Sequence, residues 1–166
     1  MIDLVPMSPA EYDPYFERLV VEFAAEKVQS GNWTSEESVR RSREDCQALL
    51  PKGLDTPGQH LYRILDTHTG ERVGVVWLAE DGRKSPPVGF IYDLEVEAPY
   101  RRRGYATRAM LALEVKAREL GLSTVSLHVF GFNHGARALY EKLGYEITNI
   151  NMSKSLKKAG DRQPDA

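Results

Sequence analysis

Residues 92–121 read YDLEVEAPYRRRGYATRAMLALEVKARELG, and this stretch decides the architecture. Tyr92, Leu94 and Val96 alternate with Asp93 and Glu95 as in a strand, which Pro99 ends. Arg101, Arg102 and Arg103 lead to Gly104, after which Ala106, Met110, Leu113, Ala117 and Leu120 fall on one helical face. Gly121 stops that helix. A strand therefore runs through a basic, glycine-containing loop straight into a helix N-terminus. N–H groups without partners at such a terminus, together with the helix dipole, favour an anion by about 0.3–1 kcal/mol, or ~2 kcal/mol when partly buried. Gly104 lets the backbone approach a ligand or adopt positive φ, and Ala106 permits close packing at the helix start. The loop suits a phosphate-bearing ligand, although a solvated basic turn would use the same residues. It is not a Walker loop, because no Gly-Lys-Ser/Thr follows, and it lacks the three-glycine spacing of a dinucleotide fingerprint.

Outward from this stretch, Ser8-Pro9-Ala10-Glu11 is a capping box with proline at the first helical position. A helix follows, with Tyr15, Leu19, Phe23 and Ala24 inward, and Gly31-Asn32 breaks it. Thr34-Ser35-Glu36-Glu37 opens a second helix that ends near Leu50, before Pro51. His60 to Asp66 and Arg72 to Ala79 read as strands joined at Thr69-Gly70, and Val88 to Val96 as a third. Beyond the central helix, Thr124 to Phe130 reads as a strand. Asn133 caps a short helix carrying Ala136, Leu139, Tyr140 and Leu143, and Tyr145 to Met152 reads as a final strand. This pattern predicts one mixed α+β or α/β domain over residues 1–153, with a polar, frayed tail over 154–166.

Bulk properties narrow the function. A chain of 166 residues with 42% hydrophobic and 28% charged residues is an ordinary globular domain. Its formal net charge of -2 argues against a nucleic-acid binder. The single cysteine, Cys46, allows no intrachain disulfide and no cysteine cluster for a metal. No signal peptide and no membrane span is read, so the expectation is a cytoplasmic protein without metal, nucleic-acid or membrane partners.

Arg101-x-x-Gly104-x-Ala106 resembles the Gln/Arg-x-x-Gly-x-Gly/Ala signature of the GCN5-related N-acetyltransferases (GNAT). The block from Asn133 through Ala136, Tyr140, Gly144 and Tyr145 resembles the same family's Asn-x-x-Ala-x-x-x-Tyr-x-x-x-Gly-Phe/Tyr block, and the two cover Val88 to Met152. Ala106 stands where many members have glycine. The resemblance implies a central, mostly antiparallel mixed sheet flanked by helices and splayed at an acetyl-CoA site. It implies that Arg101, Arg102, Arg103, Gly104, Tyr105, Ala106 and Thr107 hold the pyrophosphate. The backbone of Leu94 and Val96 would pair with the pantetheine arm, and Asn133 would donate to that arm. Asn133 is equally a plain helix cap.

The resemblance places Tyr140 at the departing thiolate as general acid, a role open to a phenol of pKa about 10 facing a thiol of about 8.5. A core tyrosine is the plainer alternative. Asp93 and Glu95, on the face away from the loop helix, are candidates for the base, or they only line a wet groove; a bulge would reverse the parity. Trp33, Glu22 and Glu26 at the helix junction suit a cationic acceptor, and ordinary packing and solvation explain them equally well. His128 reads as structural and His134 as surface. Cys46 lies away from both blocks, favouring direct attack in a ternary complex over an acetyl-cysteine route. The expected activity is acetyl-CoA-dependent N-acetylation of a small-molecule, peptide or protein amine. A non-catalytic acyl-CoA-binding or regulatory domain on the same fold is the alternative, and a homodimer is compatible with either.

Overall fold

Glu11 reaches back to accept hydrogen bonds from the Ser8 N–H at 2.9 Å and the Ser8 hydroxyl at 2.6 Å, fixing the start of the first helix where the sequence predicts it. The computed structural model describes residues 1–154 and 156; the expected frayed tail over 154–166 lies almost wholly outside them. In chain order the elements are β1 (Ile2–Pro6), α1 (Pro9–Gln29), α2 (Ser35–Leu49), β2 (Gln59–Asp66), β3 (Arg72–Asp81), β4 (Val88–Val96), α3 (Tyr105–Glu119), β5 (Val125–Leu127) and α4 (His134–Lys142). The strands form one sheet in the order β1-β2-β3-β4-β5. The first four are antiparallel to their neighbours, and β5 is parallel to β4 across α3.

Each sheet face has its own core. Ala109, Met110, Leu113 and Ala117 of α3 pack on Leu4, Ile64, Val73, Val76, Leu78 and Ile91. On the other face Tyr15, Phe16, Leu19 and Val20 of α1 and Cys46 of α2 pack on Leu61, Val75 and Trp77. Full burial of each large apolar side chain contributes about 1.5–3 kcal/mol. β3, central between the two layers, is correspondingly apolar, with Val73–Ala79 buried throughout. Between the helices, the buried Ser42 hydroxyl donates to the Val20 carbonyl at 2.7 Å, so α2 lies close against α1.

One strand is added to those expected, and three expectations are corrected. β1 was not read from the sequence; it forms because its residues pair with β2 from Ile2↔Asp66 to Pro6↔Tyr62. The expected strand Thr124–Phe130 contracts to Val125–Leu127, and Tyr145–Met152 forms no strand. With β5 so short, the sheet offers the last segment little edge to pair with. In β4 the register slips opposite Trp77/Leu78: Trp77 pairs with Asp93 and Leu78 with Ile91, leaving Tyr92 as the extra residue. Tyr92 thus turns onto the face of Asp93 instead of joining Leu94.

Gly74 of β3 lies directly against β4, and a Cβ there would fall 2.1 Å from the Glu95 carbonyl oxygen. Gly74→Ala should therefore lower the unfolding free energy by about 3 kcal/mol in urea titration, the upper end of overpacking costs. Gly82→Ala, where a Cβ meets nothing within 4 Å, should change it by under about 0.5 kcal/mol.

Candidate active site

β4 and β5 pair only over Gly89–Ile91 and Val125–Leu127. Beyond that point β4 continues to Val96, with its side toward β5 left open. A free strand edge of this kind can pair with an extended ligand, and it includes Leu94 and Val96. The Val96 carbonyl already accepts from Arg101 Nε at 2.8 Å.

The bulge and the strand period place Asp93 and Glu95 beneath α1. Tyr15, 4% exposed, donates its hydroxyl to Asp93 Oδ2 at 3.1 Å. Arg18, one turn further along α1, holds Glu95 Oε2 at 2.5 Å, while Arg101 Nη2 stands 4.0 Å from Glu95 Oε1. Burial pushes the Asp93 carboxyl up to about 7; the Tyr15 hydrogen bond and Arg18 oppose the shift, and the charges of Glu95 and Glu22 add to it. Burial, the neighbouring carboxylate and α1's own acidic residues also raise Glu22 and Glu26 above the usual range. The result is an acidic mouth containing one carboxyl poised to exchange a proton near neutrality.

Tyr140 of α4 lies within reach of the charges of Asp93 and Glu26. Burial, then the charges of Asp93 and Glu26, push its phenol up to about 12, so it stays protonated at neutral pH. It also packs on the α3-side core, and its ring lies 5.8 Å from that of Tyr145. The packing is that of the core tyrosine weighed from sequence. Asn133 caps α4, its Oδ1 accepting from the Ala136 N–H at 3.1 Å, which leaves its amide N–H groups available as donors.

At the loop, Arg102 and Gly104 take positive φ of 62° and 77°. Gly104 is the N-cap of α3 and contributes no side-chain cap, so the N–H groups of Tyr105, Ala106 and Thr107 have no intrahelical partner. The succession of left-handed and helical residues forms a concave nest of N–H donors, the donor set a pyrophosphate requires. Exposed Arg102 and Arg103 flank it and form no ion pair among the described residues. Two side chains of this group turn elsewhere. Tyr105 donates to Asp66 Oδ2 at 2.6 Å, beneath the stacked Arg108, leaving only its backbone for a ligand. Arg101 folds back onto β4, as above.

The remaining candidates separate cleanly. Trp33 stands edge-on to Phe23, and the Lys27 ammonium lies 5.2, 5.6 and 5.8 Å from the ring centres of Phe23, Trp33 and Phe130. The aromatic wall expected to receive a cation therefore already surrounds the chain's own lysine. His128 is exposed and held below its usual pKa by partial burial and Lys27. His134 is exposed. Cys46 is buried, and that burial raises its thiol, which favours the protonated and unreactive form. Tyr15 and Arg18 are site residues that sequence reading missed as such; Tyr15 was legible only as part of the apolar stripe.

Comparison with known proteins shows the family. The profile of the Acetyltransferase (GNAT) family matches residues 22–145. The uncharacterized N-acetyltransferase YycN of Bacillus subtilis strain 168 is 39% identical over 93% of this chain and 99% of its own length. A second protein of that strain, the uncharacterized N-acetyltransferase YdgE, is 35% identical over 92% and 97%. The crystal structure of YycN superposes with a TM-score of 0.91 at 37% identity, covering 95% of this chain and all of that one, 100%. The chain belongs to the GNAT acetyltransferase family. It is an acyltransferase of the N-acetyltransferase class, and enzymes of this family use acetyl-CoA as co-substrate. Among the described residues no group of three or more His, Cys, Asp or Glu is placed to hold a metal ion, and no helix is long and apolar enough to cross a membrane.

The raised Asp93 pKa makes a stability prediction. A carboxyl near 7 in the folded protein and about 3.9 unfolded favours folding below pH 4, an advantage lost as pH rises toward 7. Asp93→Asn removes this dependence. In urea unfolding its stability relative to the parent should climb between pH 4 and 7 by on the order of 2–4 kcal/mol, then level off.

Proposed function

We propose that the protein acetylates a primary amine by direct attack within a ternary complex, with Asp93 taking the amine proton and Tyr140 protecting the departing sulfur by protonation. The observation that carries this reading is the parting of β4 from β5 on the stretch that bears Asp93, a carboxyl near 7 held by the Tyr15 hydroxyl, with the charge of that carboxyl acting on Tyr140, a phenol near 12.

Acetyl-CoA supplies an acyl group already activated as a thioester. The nest at Arg102–Thr107 would bind the pyrophosphate, with Arg102 and Arg103 adding charge. The open edge at Leu94 and Val96, together with the Asn133 amide, would align the pantetheine arm. A neutral amine nitrogen then attacks the thioester carbonyl: a C–N bond forms, the C–S bond breaks, and the electron pair leaves on sulfur. Asp93 accepts the proton released by nitrogen, and the Tyr140 hydroxyl delivers one to the thiolate. Solvent returns a proton from Asp93 to Tyr140, restoring both groups. Glu95, ion-paired with Arg18, fixes the position of α1 over the site instead of serving as the base. Glu22 and Glu26 make the entrance attractive to an ammonium before its first proton is lost. Cys46, a buried thiol, takes no part.

Thiol release from acetyl-CoA across polyamines, aminoglycosides, amino acids and short peptides tests the reading. Tyr140→Phe should lower kcat by about 10²–10⁴-fold, the range of a lost general acid, with KM for the amine little changed. Asp93→Asn should lower kcat/KM similarly and abolish the limb near pH 7 in its pH profile. Full activity in both variants would overturn the assignment.

A further inference from the structure

A cavity of about 370 Å³ lies between α1, α2 and the sheet, on the face that carries Asp93. Leu19 and Phe23 of α1, Cys46 and Leu49 of α2, and Trp77 and Tyr92 of the sheet wall it, and exposed Asp45 and Ala48 stand at its rim. Its position follows from the register slip in β4. Trp77 is the cross-strand partner of Asp93, and Tyr92, the extra residue, is turned onto the same face with its ring 4.6 Å from that of Trp77. A regular strand would send Tyr92 to the opposite side and leave this wall incomplete.

The lining says what the cavity takes. Trp77 already spends its indole N–H on Gln59 Oε1 at 2.7 Å, and the Cys46 thiol is buried. The only charged lining residue is Asp45, at the solvent side. A second cation on the acceptor would find the neighbouring aromatic wall filled by Lys27. Apolar cavities of roughly 150 Å³ take up benzene, so this one admits an aromatic ring with its linker or a medium alkyl chain.

We infer that the acceptor is a primary amine bearing an apolar alkyl or aryl substituent, which occupies this cavity while the amine lies at Asp93. The inference rests on the acetyl-transfer reading for the position of the amine. The cavity itself makes the specificity: each buried methylene strengthens the acceptor's hold, and a polar polyamine chain loses its hydration there without recovering hydrogen bonds.

The test is a series of ethylamine, butylamine, hexylamine, 2-phenylethylamine and spermidine with the intact chain, Ala48→Trp and Leu49→Trp. In the parent, kcat/KM should rise roughly fourfold per methylene from ethylamine to hexylamine, with spermidine poorer than hexylamine. Ala48→Trp, which covers the rim from an exposed helical position, should cut the hexylamine-to-ethylamine ratio at least about tenfold. Leu49→Trp serves as a second variant should the first fail to fold, and the melting temperature of each reports folding. A flat amine series, a preference for spermidine, or an unchanged ratio in folded variants overturns the inference. If no amine releases thiol, calorimetric titration with hexylamine separates the two ideas. Binding that the tryptophan variants weaken upholds the cavity and sinks the acetyl-transfer reading, and absence of binding sinks the cavity.

Discussion

A carboxylate placed where packing alone would favour an apolar side chain organises this protein. Asp93 sits on the inner face of β4 beneath α1, and removing water from its charged form costs several kcal/mol unless partners compensate. Tyr15 compensates in part through a 3.1 Å hydrogen bond, and Arg18 through its charge. The balance leaves the carboxyl near 7 instead of near 4. The same contact seats α1, because Tyr15 belongs at once to the apolar core and to the polar site. With α1 so seated, Arg18 reaches Glu95, and Glu22 and Glu26 line the entrance beside Tyr140. Asp93, Tyr15, Arg18 and Glu95 thus share one interface.

What was legible in the sequence was local. The box at Ser8 and Glu11, the turn at Gly104 and the cap at Asn133 are each written within three or four residues, and each appears in the structure. What was not legible depends on distant partners. Tyr15 and Asp93 are 78 residues apart, and nothing near Tyr15 marks its hydroxyl as a donor to a carboxylate. β1 is a strand because β2 offers an edge. The segment Tyr145–Met152 has strand-like composition but gains no ladder beside a β5 of three residues. The run Tyr92–Val96 has a regular period of two, yet its bulge is set across the ladder, where β3 carries a bulky Trp77 and a glycine at 74.

Charge in the site is arranged in two compartments. Lys27 is enclosed by Phe23, Trp33 and Phe130, away from Asp93, while the carboxylates of β4 and α1 face the mouth with Arg18 among them. Cation–π contacts are worth about 0.5–1 kcal/mol at exposed positions and more when desolvated, so displacing Lys27 would cost an incoming cation that stabilisation. Of the residues expected to hold an acceptor's charge, Trp33 therefore holds the chain's own, and Glu22 and Glu26 remain at the entrance.

That proton also explains how a phenol near 12 can serve a thiol of ordinary acidity. Transfer from a group near 12 to a thiolate whose conjugate acid is about 8.5 is uphill by roughly 5 kcal/mol if nothing else changes. After burial, the first cause of the high Tyr140 value is the charge on Asp93. In the proposed mechanism Asp93 takes the amine proton first; its charge is then gone, and the phenol becomes a stronger acid than before. The reverse order would have Tyr140 give up its proton beside a charged Asp93, placing two anions in one partly buried mouth. In the proposed mechanism electrostatics therefore orders the two transfers, nitrogen first and sulfur second, and the charge gained at one residue is matched by the charge lost at the other.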